Sequence, residues 1–268
     1  ELDGINNFLN EITNNFFNIV LYKAQRNVSL VFDDEAKPIC LSNMESLKNL
    51  IDQLNSKYED NDNNDFKRVL NHLKSLDNEG ICGEGIYFPL FDKRREKYDE
   101  DVLKDMELLK RSILSANYGY YVSGSYNHSA KTITLYINNI PFNYSNYLSV
   151  FVHEYFHAVC FFMLDYYSSD VKIDKYYKEV VFESLATYFQ IKYLFARGFV
   201  DDAKNIKERI QKYSPIFFPY SGCKDLFTYR EFIEVLEISF NRIDFREALY
   251  NLVTRYDAEI ILQCNKNK

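Results

Sequence analysis

The apolar positions along the chain fall into two textures. Over residues 2–25, Leu2, Ile5, Leu9, Ile12, Phe16, Ile19 and Val20 recur at helical spacing and predict one amphipathic helix. Residues 28–32 (VSLVF) read as a short strand before the polar turn DDEAKP. A helix capped by Ser42 or Asn43 runs to about Lys57, and others are predicted over 66–76 and 99–114. The EDNDNND (59–65) and GICGEG (80–85) segments read as loops. From residue 118 the texture changes. YGYYVSGSY (118–126) and KTITLYIN (131–138) read as two strands joined by the short NHSA loop, a β-hairpin. In the second strand Ile133, Leu135 and Ile137 face one way, and Thr132, Thr134 and Tyr136 the other. Two long helices follow, 145–166 and 174–197, the second closed by Gly198. Shorter helices are predicted over 200–212, 228–240 and 243–255, with a Pro- and Gly-bearing loop at 213–225.

This is the pattern of an α+β chain, mostly helical, with a small antiparallel sheet beside the first long helix. No repeat or low-complexity linker divides it. The change of texture places a boundary between a mainly helical region, 1–115, without an assigned role, and a region 116–268 that carries the hairpin, the long helices and the C-terminal helices.

The first long helix contains VFVHEYFHAVCFFML (150–164), apolar nearly throughout, yet carrying His153, Glu154 and His157. Burying such groups costs several kcal/mol unless partners offset it. Residues i and i+4 lie on one helix face about 6 Å apart, so two imidazoles in an HExxH pattern aim at one Zn²⁺. Glu154 sits beside that point without being forced to bind, which suits a general base acting on water. The bland alternative is a pair of core histidines bonded to backbone, with Glu154 in a salt bridge. A zinc site needs a third protein ligand. The extended form HExxHxxGxxH is ruled out, because Cys160 and Met163 occupy its Gly and third His positions and no His follows His157. The ligand is therefore expected to be a carboxylate. Asp165 lies two turns on, about 12 Å along the helix, and Asp170 sits in a polar loop. Glu183, alone in the apolar run VVFESLATYF with small Ala186 one turn away, is the favoured third ligand. Glu179 is the fallback, better suited to orienting a histidine, as is Thr187. Cys160 reads as a packed core thiol.

HEYFH followed 26 residues later (183 − 157) by ESLA resembles the gluzincin zinc metallopeptidases, with their thermolysin-like catalytic core. The resemblance covers about 118–197. It implies Zn²⁺ held by His153, His157 and Glu183, Glu154 as general base, and hydrolysis of peptide bonds. It also implies that strand 132–138 is an edge strand along which a peptide or protein substrate lies. Members of the family use a downstream Tyr or His to stabilise the oxyanion; with no His available, Tyr220, or else Tyr213, is implied. The small intracellular peptidases that cleave repressor-type proteins are similar too. A reading from another class is a non-catalytic zinc scaffold that binds protein.

Composition narrows the rest. With 268 residues and 47% hydrophobic content the chain can bury a sizeable core. A net charge of −7 and a single basic run (KRREK, 93–97) argue against nucleic-acid binding. Five scattered cysteines without CxxC fit free thiols and favour a reducing, cytoplasmic setting, while secretion after loss of a leader stays open. No run reaches about 18 apolar residues, so no membrane span is expected. His72 and His128 read as surface residues, His128 being within reach of a substrate from its turn.

Overall fold

The computed structural model describes residues 2–34, 44–60, 64–76, 81, 98–116, 123–167, 175–212, 216–217, 227–228, 233–234, 236–237, 240 and 245–255. In chain order these give α1 (Leu2–Ile12), α2 (Asn18–Asn27), β1 (Ser29–Asp33), α3 (Met44–Lys57), α4 (Asn64–Ser75) and α5 (Glu100–Ala116). Then come β2 (Gly124–Asn127), β3 (Thr132–Tyr136), a 3-10 turn at Ile137–Asn139, α6 (Tyr144–Tyr167), α7 (Lys175–Ala196) and α8 (Val200–Lys212). A two-residue ladder, β4 (Ile216–Phe217) with β5 (Phe227–Thr228), precedes α9 (Phe245–Tyr250) and a π-turn at Asn251–Arg255. The chain is thus mostly helical with a small mixed sheet, which is α+β.

Several expectations are corrected. The helix predicted over 2–25 is two helices. Asn14 and Asn15 both take positive φ (47° and 61°), a conformation Asn tolerates better than most residues, and the Asn15 N–H closes back on the Asn10 carbonyl at 2.8 Å. The apolar spacing of the sequence runs on through this break, but Phe16 and Ile19 of that pattern are exposed, and Phe17 and Val20 are the buried residues. The strand expected over 118–126 is described only as 124–127, residues 118–122 lying outside the described part. The loop expected at 213–225 contains β4.

The sheet differs most. Its order is β1-β3-β2, with β1 parallel to β3 and β2 antiparallel to it. Strand 132–136 is therefore central, not the edge strand expected of 132–138, and neither of its sides is left for a substrate. Ile133 and Leu135 are buried as the alternation predicts, but Ile137 opens the 3-10 turn. The edges are β1 and β2.

Helix α6 opens on Asn143, whose Oδ1 accepts the Ser145 N–H at 3.1 Å. By length and composition it is apolar enough to cross a bilayer, but 67% of its apolar stretch is buried in the protein's own core. It packs on α2, on α7 and on the π-turn. Against α7, Phe156 and Phe189 stack at 4.1 Å. α7 ends where expected, Gly198 taking φ +82° while the Phe199 N–H returns to the Leu194 carbonyl at 2.9 Å.

Apolar packing does not follow the boundary expected at 115. Ile5, Leu9, Val20 and Ala24 of α1 and α2 belong to the same core as Leu135, Tyr155, Phe156 and Leu185. A second core is built within 44–113 from Leu47, Ile51, Phe66, Leu70, Leu109 and Ile113. The N-terminal helices also reach the HExxH helix by polar contacts. Tyr155 Oη donates to Asn6 Oδ1 at 2.9 Å, Asn6 Nδ2 to Gln25 Oε1 at 3.2 Å, and Gln25 Nε2 to Asp3 Oδ1 at 2.6 Å. Tyr155 is fully buried, and Tyr155→Phe leaves the Asn6 oxygen without that donor. The expected loss is about 1–2 kcal/mol in urea unfolding followed by far-UV circular dichroism; a variant as stable as wild type would mean the α1–α6 hydrogen bond contributes nothing net.

Candidate metal centre

The two imidazoles sit one turn apart on α6 and turn toward α7, whose Leu185 and Ala186 are fully buried against the shared core. The short Ala186 side chain lets the two helices come close, and this brings Glu183 over the histidines. His153 Nε2 lies 3.1 Å from His157 Nε2 and 3.2 Å from Glu183 Oε2, and His157 Nε2 lies 3.3 Å from Glu183 Oε1. Ligands placed tetrahedrally at 2.0–2.1 Å from a zinc ion stand about 3.3–3.4 Å apart. The donor set and its spacing therefore fit Zn²⁺. Glu183, 32% exposed at its side chain, keeps the cluster in touch with solvent.

Charge binds the cluster as well. Burial pulls the His153 pKa down, but the hydrogen bond and charge of Glu183 outweigh it, so it ends above its ordinary value. Burial pushes Glu183 up, yet the two histidines overcome that and hold the carboxyl below the usual range. For Glu154, burial dominates and raises the pKa, while the histidines and the Tyr126 N–H offset part of the rise.

Glu154 occupies a different stripe of α6 from the histidines and faces β2. Ser123 O accepts the Tyr136 N–H at 3.0 Å, so Ser123, Ser125 and Asn127 turn their main-chain groups toward β3. Gly124 and Tyr126 turn theirs outward, and the Tyr126 N–H donates to the Glu154 carboxylate. Gly124 is pressed onto the helix: a Cβ there would lie 2.6 Å from Val150 Cγ1 and 2.9 Å from Glu154 Cγ.

Asp165 does not join the cluster. Its Oδ2 pairs with His128 Nε2 at 3.3 Å, and the His128 ring stacks on Phe161 at 4.4 Å, so His128 is a partly buried clamp between hairpin and helix, not a free surface residue. Tyr126 Oη stands 3.4 Å from His128 Nδ1, its pKa pushed up to about 12 by burial and then by the Asp165 charge. Cys160 is a fully buried free thiol. Thr187 is buried. Tyr213, Tyr220, Asp170 and the Glu179 side chain lie outside the described residues. One residue was missed: Gln190, two turns beyond Glu183, donates to Ser149 O and Oγ at 2.9 and 2.8 Å and adds a little to the raised pKa of His153. Its signal was legible, a lone amide in the apolar run ATYFQIKYLF.

Comparison of the chain with family models, with curated proteins and with solved structures finds no match in any of the three.

Two outcomes follow from this geometry. Gly124→Ala should push Glu154 out of place and cost about 1–3 kcal/mol by overpacking, read by urea unfolding and by a crystal structure; an unmoved Glu154 would contradict the close approach. In metal-free protein, the lowered Glu183 pKa adds stability that is complete above its ordinary 4.5 and lost as pH falls. The raised His153 pKa adds stability complete below its ordinary 6.5 and lost as pH rises through the raised value. The cluster's contribution should therefore peak between these two values and vanish in Glu183→Gln. Unfolding titrations across that range would show parallel curves for the two proteins if this were wrong.

Proposed function

We propose that this chain is a zinc-dependent peptidase with a zincin-like core of the gluzincin kind. His153, His157 and Glu183 hold Zn²⁺, and Glu154 moves the protons. The observation that carries the reading is the trio of separations between two imidazole nitrogens and one carboxylate, 3.1, 3.2 and 3.3 Å, on a helix pair that is otherwise apolar. Bound there, zinc supplies Lewis-acid chemistry, acidifying water and polarising a carbonyl. Glu154, steadied by the Tyr126 N–H and buried enough for its pKa to be raised, takes a proton from the attacking water. It hands that proton to the departing amine, so peptide and water become a carboxylate and an amine. A metal site serving only as scaffold has no use for a carboxylate in this position and favours four protein ligands. The peptide lies against the outer edge of β2, where the main-chain groups of Gly124 and the carbonyl of Tyr126 turn outward beside Glu154. That assigns to β2 the part first expected of strand 132–138.

Elemental mass spectrometry on protein purified without chelator is the first test. About one zinc per chain is expected in the wild type, lost or much weakened in Glu183→Ala. Glu154→Gln should keep the metal while cleavage of a mixed peptide library falls about 10²–10⁴-fold. A wild type that takes up no zinc, or a Glu154→Gln variant that cuts as fast, overturns the proposal.

A further inference from the structure

We propose that the outer face of α2, with the turn before it, is a docking surface for an anionic lipid bilayer. Helix α2 is apolar on both sides. Phe17, Val20, Leu21 and Ala24 are buried in the core. On the other side Phe16 is 49% exposed, Ile19 55% and Tyr22 55%. A helix apolar all round is normally covered all round, and the protein covers only the inner side of this one. Of the twelve exposed large hydrophobics among the described residues, six fall within 16–32. The exposure is therefore concentrated here, not scattered singly over the surface.

Charge decides what fits this face. Residues 12–32 contain Lys23 and Arg26 and no acid, in a chain whose net charge is −7. Both cations are exposed, and neither has an ion-pair partner among the described residues. Each lies over an aromatic ring: Arg26 Cζ is 5.0 Å from the Tyr22 centroid, and Lys23 Nζ is 4.6 Å from that of Tyr166, at the end of α6. Tyr166 is itself exposed, and Asp165 beside it in sequence is already paired with His128. Large apolar and aromatic side chains rimmed by Lys and Arg are what a helix lying in a membrane interface presents. The apolar groups enter the headgroup boundary while the long cationic ones reach the lipid phosphates. A helix face is convex and has no groove to enclose a peptide; a bilayer takes protruding side chains without one. Because α2 packs on α6, a docked bilayer would hold the candidate metal centre at a fixed height above it.

The test is co-sedimentation of the full-length protein with phosphatidylcholine vesicles, with and without phosphatidylserine. Binding is expected only where phosphatidylserine is present, and it should weaken as salt is raised. Lys23→Gln combined with Arg26→Gln should weaken it about tenfold or more, and Phe16→Ser combined with Ile19→Ser about tenfold. Both pairs are exposed, so the far-UV circular dichroism of the variants should match wild type; if one pair fails to fold, the other decides. The proposal is overturned if the wild type stays in solution with both vesicles, if it binds both equally, or if a folded variant binds as tightly as wild type. Sedimentation velocity without lipid checks the rival occupant. A dimer that Phe16→Ser with Ile19→Ser dissociates would assign the face to a second copy of this chain and overturn the proposal too.

Discussion

Two imidazoles and a carboxylate share one small volume between α6 and α7, and most of the neighbouring structure can be understood as the accommodation of that fact. Each group alone would be a costly guest in an apolar helix interface. Together they offset one another, the carboxylate held charged by the histidines and the first histidine held up by the carboxylate. The offset works only at contact distance, so it fixes the relation of the two helices. The stacked Phe156–Phe189 pair and the buried Ala186 bring the helices close enough for it. Loss of one partner would leave the other two with less to offset their burial.

The period of the helix sorts the chemistry into two directions. His153 and His157, four apart, look toward α7. Glu154, next in sequence, is turned by about 100° and looks toward the sheet. The carboxylate that stays out of the ligand cluster is therefore supported by another element, through the Tyr126 N–H and the close approach of Gly124. A glycine is needed at that point because β2 and α6 touch with no room for a side chain. Sheet and helix pair thus set different halves of one site.

What could be read from the sequence was what rests on local pattern. The long helices, the buried face of β3 and the three converging side chains all announce themselves as polar residues in apolar runs or as strict periodicity. What could not be read depends on partners distant in the chain. That β3 is central follows from β1 pairing with it across 103 residues, from Ser29 to Thr132; nothing in TITLY says whether one neighbour or two will be present. The break at Asn14 and Asn15 escaped because the apolar spacing continues through it. Gln190 was overlooked for a different reason. It carries no charge, and attention to ionisable residues passes over an amide, though burial makes an amide's hydrogen bonds as exacting as an ion's.

The pairing of β1 has one more consequence. Asp33 at the end of β1 lies opposite Tyr136 of β3, and Gly124 at the start of β2 lies opposite Leu135. The chain thus leaves the sheet after residue 33 and re-enters it at 124 almost level with its exit, about 10 Å away across two strand spacings. The described helices in between, α3, α4 and α5 with their own core, belong to an excursion that leaves and rejoins the sheet at neighbouring points. Closing such a loop costs entropy that grows only with the logarithm of its length. A segment held in this way can be lengthened, shortened or replaced over evolutionary time with little strain on the strands that anchor it. The helix pair and the excursion are then free to diverge at separate rates, one constrained by the contacts among His153, His157 and Glu183, the other only by where it must begin and end.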